Sequence, residues 1–181
     1  MERSDYKSCS LRPLGKEDLS RVLVWRNHPD IRRYMFTQHE ITESEHSRWY
    51  ERASRDATKE LLIFEVNKVA NGFIQFDIDN LNNCADWGFY MSPTATKGFG
   101  FNMGQLGLEY AFNQLKLHKL CGQAMAFNLS SIRFHLSLGF SQEGVRRKQY
   151  LNDKKYYDIS LFGLLKVEWD NKYWTEGIIK K

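Results

Sequence analysis

Residues 87–104, WGFYMSPTATKGFGFNMG, read as a strand, a glycine-bearing turn and the opening of a helix. A helix N-terminus leaves its first backbone N–H groups without partners and carries the positive end of the helix dipole, so a turn of this layout suits a bound pyrophosphate. Gly98 and Gly100 let the backbone approach such a group closely. Two glycines also serve turn geometry alone, so the stretch by itself defines a phosphate-turn candidate whose standing depends on its surroundings.

Upstream, residues 8–14 read as a short strand. A helical pattern from Glu17 to Met35 breaks at His28-Pro29, because proline disfavours helical geometry in the residue before it. Thr42-Glu43-Ser44-Glu45 has the form of a capping box that opens a second helix running to Ser54. Residues 61–66 and 72–78 read as strands joined by a turn over 67–71. In the second strand Ile74, Phe76 and Ile78 face one side, and Phe73, Gln75 and Asp77 the other. Downstream, the helix after Gly100 extends to Leu115, with Met103, Gly107, Ala111 and Leu115 at four-residue spacing; Gly104 and Gly107 imply close packing of this helix on the sheet. A strand over 120–125, a short helix over 130–138 stopped by Gly139, a strand pair over 140–151 and 155–165, and a loose helical tail from Lys166 complete the chain. The order is that of an α/β sheet with the phosphate turn after a central strand. We expect one domain over 1–168 and a C-terminal tail over 169–181.

With 42% hydrophobic and 14% aromatic residues and only three prolines, the 181 residues are those of an ordinary globular domain. The net charge of +4 favours an anionic small molecule over extensive nucleic-acid binding, and the basic residues at 146–148 and 154–155 read as a charged exposed hairpin. Cys9, Cys84 and Cys121 are single and widely spaced, which suggests reduced, mostly buried thiols, with neither a disulfide framework nor a metal site. With no apolar run of membrane-spanning length and no secretion signal, a cytoplasmic protein is expected.

The phosphate-turn candidate gains weight from Asn128-Leu-Ser-Ser-Ile-Arg-Phe-His-Leu-Ser-Leu-Gly-Phe140. Ala95-Thr96-Lys97-Gly98-Phe99-Gly100 and the Asn128, Ser131, Phe134, His135, Gly139, Phe140 pattern together resemble the GNAT acetyltransferase superfamily, whose members share a turn of the form Arg/Gln-x-x-Gly-x-Gly/Ala and a later Asn-x-x-Ala-x-x-Leu-Tyr-x-x-x-Gly-Phe. The resemblance implies a central, mostly antiparallel mixed sheet of about seven strands flanked by about four helices. It also implies acetyl-coenzyme A (acetyl-CoA) as cosubstrate. Its pyrophosphate would lie on the amides around Lys97, Gly98, Phe99, Gly100, Phe101 and Asn102. Its pantetheine would lie along Phe89, Tyr90 and Met91, where a bulge frees an oxyanion-binding amide, with Asn128, Ser131 and Phe134 also on the cofactor side. Two positions depart from the pattern. Ala95 replaces the Arg or Gln that opens the turn, and His135 stands where the family has a tyrosine that protonates the departing thiolate. His135 is therefore either the general acid or a hydrogen-bonded, half-buried side chain one turn from Ser131.

A narrower resemblance covers residues 20–165. Trp25 to Met35, Glu45-His-Ser-Arg-Trp49, Trp87 to Pro93 and Leu117-His-Lys-Leu120 look like the N-acetyltransferases of pseudaminic acid biosynthesis, which acetylate the 4-amino group of UDP-4-amino-4,6-dideoxy-N-acetyl-β-L-altrosamine for flagellin glycosylation. The resemblance puts Arg26 and His46 on the nucleotide diphosphate, Gln75 and Phe76 at the sugar, and Trp49 and Trp87 as aromatic surfaces. Each has a packing alternative: Arg26 paired with Asp30, and the aromatic residues in the core. Asp77, Asp86 and His46 are candidates for the general base, and none is assigned. Ribosomal-protein-alanine N-terminal acetyltransferases, which share features of the ending 143–169, are the second reading, and a non-catalytic acyl-CoA binding module is the third. A monomer and a homodimer both remain open.

Overall fold

The computed structural model describes residues 9–175, with side chains through residue 171. The expected strand start at Ser8 and the tail beyond Thr175 lie outside the described residues. Seven strands, β1 (Cys9–Pro13), β2 (Lys59–Val66), β3 (Val69–Asp79), β4 (Cys84–Met91), β5 (Lys119–Met125), β6 (Ser141–Asn152) and β7 (Lys155–Leu165), form one sheet in the order β1-β2-β3-β4-β5-β7-β6. β4 and β5 pair in parallel through Cys84–Lys119, Ala85–Leu120 and Asp86–Cys121, whereas the β1–β2, β2–β3, β5–β7 and β6–β7 ladders are antiparallel.

The helices are α1 (Leu19–Asn27), α2 (Pro29–Arg32), α3 (Glu43–Ala53), α4 (Phe99–Glu109), α5 (Leu129–Leu138) and α6 (Lys166–Thr175). The six α-helices among the described residues exceed the about four expected, partly because the early helix divides at His28 into α1 and the single turn of α2. The His28 ring nitrogen accepts from the Asp30 amide (3.3 Å), and Pro29 occupies the first position of α2, where its missing N–H costs nothing. By packing, the chain falls into two compact units. One holds the residues up to Ile78 together with Trp87–Gly107, and the other holds Asp79–Asp86 and the residues from Leu108 onward.

In the first unit, the Thr42–Glu45 box opens α3 as read from the sequence. The Glu45 amide donates to Thr42 Oγ1 (3.2 Å) and the Thr42 amide to Glu45 Oε2 (2.7 Å). The Thr42 amide and the Thr42 hydroxyl (2.8 Å), with His39 adding a third donor, hold the Glu45 carboxyl at about 2. β3 begins earlier than expected, since Asn67 and Lys68 both take positive φ (51° and 66°) and close a two-residue hairpin turn. Strand alternation sorts the side chains between two faces. Ile74, Phe76 and Trp87 lie on the face covered by α4, where a Cβ added to Gly107 would sit 3.2 Å from Trp87 Cζ3 and 3.4 Å from Ile74 Cδ1. That spacing is the close helix–sheet approach expected at Gly107. Ile63 and Phe73 face the other way, into a cluster with Leu14, Val22 and Trp25, against which Trp49 and Tyr90 pack.

In the second unit, the helix expected to run unbroken to Leu115 changes at Tyr110 into a π-helical turn, Tyr110–Gln114, in which the Leu115 amide reaches Tyr110 O (3.0 Å). α6 follows β7 directly, and the Leu165 amide donates to Glu168 (2.9 Å). The boundary expected at residue 168 falls inside α6, whose Trp169 is buried against Phe112 (ring centroids 5.3 Å apart). The three cysteines are free thiols, each half-buried rather than mostly buried. Among the described residues no helix is long and apolar enough to cross a membrane.

Candidate active site

The turn after β4 is built by its own hydrogen bonds. The Ala95 amide donates to Ser92 O (3.0 Å), Phe99 to Thr96 O (3.3 Å) and Phe101 to Gly98 O (3.0 Å), while Ser92 Oγ receives the Thr94 amide (3.3 Å). These bonds engage none of the Lys97, Gly98 and Gly100 amides, which remain for an anion at the start of α4. Gly98 has φ of 102°, a left-handed conformation that a side chain would strain, so the glycine is required by the backbone itself. Lys97 and Phe101 are exposed at the turn and Phe99 is half-buried. The Asn102 side chain is buried and donates to Cys9 Sγ (3.7 Å), so only its amide is on offer to a ligand.

On the β3–β4 face away from α4, His46 of α3 stacks on Trp49 (5.1 Å), Trp49 meets Phe73 edge-on (6.0 Å), and Phe73 lies against Tyr90 (5.3 Å). Arg26, from the last turn of α1, stands close to both His46 and Tyr90. Its Nη2 donates to Thr37 O (3.1 Å), and its Nη1 is buried with no hydrogen-bond partner among the described residues. Arg26 is therefore not paired with Asp30, which sits beside Arg33 and His28 instead. Burial and then the Arg26 charge hold the His46 imidazole below its ordinary value, which favours the neutral ring. Burial pushes the Tyr90 phenol up, with Arg26 opposing. Tyr90 thus turns its ring to the Phe73 side, leaving its backbone for the pantetheine strand, with Met91 on the α4 side near Gly72.

Two expected acceptor contacts are corrected. Phe76 is fully buried and stacked on Trp87 (6.5 Å), which in turn packs on Phe89 (4.7 Å) and under Gly107. Adjacent strand residues point to opposite faces, so Gln75 and Phe76 cannot line one pocket, and Phe76 and Trp87 belong to the core beneath α4. Gln75 keeps the acceptor-side face, beside Gly88, and donates to Asp77 (3.2 Å). Asp77 is itself engaged by Lys59. Phe73 alternates with Gln75 onto that face, but it is buried in the cluster with Ile63, Val22 and Trp25.

In the second unit, Asn128 caps α5 by accepting the Ser131 amide (3.1 Å), and Gly139 (φ 99°) closes the helix while the Phe140 amide returns to His135 O (3.1 Å). Much of the second motif therefore encodes the two ends of this helix, with Phe134 half-buried on it. His135 is 1% exposed. Its Nδ1–H donates to Ser131 O (2.8 Å) and its ring stacks on Phe162 at 4.7 Å and 9°. Burial lowers its pKa. These are the surroundings of the packing alternative, a neutral core imidazole.

This sheet order, with a glycine turn after β4 and an Asn-capped helix after β5, is the arrangement that the acetyltransferase resemblance implies. Residues 9–141 match the acetyltransferase (GNAT) domain family, and the chain belongs to it. It is 28% identical to acetyltransferase PseH of Campylobacter jejuni over 82% of this chain and 88% of that protein. It is 27% identical to spermidine N(1)-acetyltransferase of Escherichia coli, over 82% of this chain and 81% of that one. In structure it is similar to spermidine N-acetyltransferase from Vibrio cholerae in complex with CoA and spermine, with a TM-score of 0.85 over 91% of this chain and 99% of that chain at 22% identity. The chain is an N-acetyltransferase, and acetyl-CoA is its acetyl donor.

Proposed function

We propose that this cytoplasmic enzyme transfers the acetyl group of acetyl-CoA to the 4-amino group of a UDP-linked amino-deoxy sugar, UDP-4-amino-4,6-dideoxy-N-acetyl-β-L-altrosamine, in pseudaminic acid biosynthesis. The observation that carries this reading is the buried, unpartnered Nη1 of Arg26 beside an aromatic run of His46, Trp49, Phe73 and Tyr90. A guanidinium nitrogen removed from water calls for an oxygen acceptor, and a diphosphate supplies one near the half-buried Trp49 ring, which suits uracil or a sugar face. The similarity to PseH supports the same reading.

The chemistry is direct transfer. The neutral amine attacks the thioester carbonyl, the C–N bond forms, the tetrahedral oxyanion collapses with cleavage of the C–S bond, and the proton shed by the amine balances that taken up by the thiolate. Asp77 is held by Lys59, and Asp86, neutral His46 or a water relay are the remaining routes for the amine proton.

Spermidine is the counter-substrate, because a relative of matching identity acts on it. A polyamine calls for carboxylates, and the Arg26 guanidinium, with its buried unpartnered Nη1, opposes it. Assays with acetyl-CoA and the UDP-amino sugar, spermidine or an alanine-started peptide separate the readings. We expect turnover of the UDP-amino sugar, with Arg26→Ala raising its KM at least tenfold, equivalent to about 1.4 kcal/mol, while the acetyl-CoA KM stays constant. Turnover of spermidine or peptide alone overturns the assignment.

A further inference from the structure

We infer that the α2–α3 loop, residues 33–41, is an acceptor lid latched by Arg26, whose two terminal nitrogens are divided between the loop and an acceptor phosphate. The inference rests on the acceptor reading above and adds to it a gate and a positioning residue.

The loop is tied down at several points, two of them on the last turn of α1. Arg26 Nη2 holds Thr37 O (3.1 Å). Asn27 clamps Ile41 from both sides, Nδ2 donating to its carbonyl and Oδ1 accepting its amide, each at 2.8 Å. Arg32 and Glu40 approach across the loop at 3.6 Å, and Gln38 donates to Met35 O. A segment closed on itself by short polar ties at its base is a compact Ω-type loop that can move as one piece. The Asn27 side chain spends both its oxygen and its nitrogen on Ile41, so it positions the loop rather than binding the acceptor.

The guanidinium is planar and rigid. A phosphate oxygen on Nη1 fixes the orientation of Nη2, and with it the bond to Thr37 O; a loop held by Nη2 conversely presents Nη1 in one direction. Binding at one nitrogen therefore tightens the other, and the coupling is reciprocal. A polyamine has no acceptor oxygen to offer Nη1 and cannot set the latch, so the same device rejects cationic acceptors.

The test uses UDP as the probe and tryptic cleavage at exposed Arg33 as the readout of the loop. Calorimetry measures UDP binding in parallel. In the wild-type protein UDP is expected to bind and to slow cleavage at Arg33 about tenfold, whereas spermidine leaves it unchanged. Asn27→Ala is expected to weaken UDP binding and raise the acceptor KM with kcat and the acetyl-CoA KM unchanged, a split that general destabilisation would not produce. Arg26→Lys, which keeps the charge but not the fork, is expected to retain its thermal midpoint and lose the UDP-dependent protection. If UDP binds and cleavage is unaltered, or if Arg26→Lys stays fully protected, the lid is overturned while the acceptor assignment stands. If UDP does not bind, or spermidine protects in its place, both fall.

Discussion

The Nδ1–H of His135 is committed to Ser131 O and its ring to Phe162, so the side chain contributes most when uncharged. Burial, only partly offset by the Ser131 bond, lowers its pKa from 6.5, and burial lowers that of His46 as well. A histidine whose folded pKa lies below its unfolded value is protonated first in the unfolded chain, so stability is full above pH 6.5 and is lost as pH falls through the window below it. We expect the thermal midpoint to decline between pH 7 and pH 5 and His135→Phe to flatten that decline, as followed by circular dichroism. The same variant tests catalysis: kcat should be retained across pH 6 to 9, and a loss of about a hundredfold, largest toward pH 6 where the imidazolium forms, would restore the general-acid role. Phe76→Ala should cost about 3–5 kcal/mol by denaturant titration with an unchanged acceptor KM, because the ring is core. Gln75→Ala should leave stability within about 0.5 kcal/mol and raise that KM.

At the scale of elements, features encoded by neighbours in sequence were legible and features encoded across strands were not. The His28-Pro29 break, the Thr42–Glu45 box and the Gly139 stop each rest on residues within four of one another, so spacing alone reads them. The π-helical turn at Tyr110 and the burial of Phe76 depend on what packs against them, Trp169 on Phe112 in one case and Trp87 in the other, and no local pattern reports either. The phosphate turn lies between these extremes. Its glycines were readable, but the need for Gly98 specifically follows from its φ of 102°. Gly98→Ala should therefore strain the turn by more than about 1 kcal/mol and turn its amides away, raising the acetyl-CoA KM with little change in the acceptor KM in steady-state assays. Asn128→Ala should cost about 1 kcal/mol of stability through loss of the α5 cap, measured by thermal melting.

For the whole molecule, the expected sheet of about seven strands was legible because two separated motifs, 95–100 and 128–140, had to belong to one family pattern; their chemistry was legible only in part. With Ala95 where the family pattern has Arg or Gln, we propose that the pyrophosphate is held largely by backbone amides, those of Lys97, Gly98 and Gly100, which take no part in the turn's own bonds. That makes donor affinity depend on the pyrophosphate more than on the thioester end. Ligand bound to the folded state alone stabilises it by about 2.7 kcal/mol at a hundredfold excess over Kd, which for a chain of this size corresponds to a rise of about 5–10 °C in Tm. Acetyl-CoA should produce a shift of that order in differential scanning calorimetry. S-acetyl-N-acetylcysteamine, which carries the thioester and part of the pantetheine but no pyrophosphate, should produce less than about 1 °C at the same concentration. Gly98→Ala should abolish most of the acetyl-CoA shift, since it disturbs the amides while leaving β4 intact. Equal shifts with the two donors would place the affinity on the β4 pantetheine strand and remove the turn from donor binding.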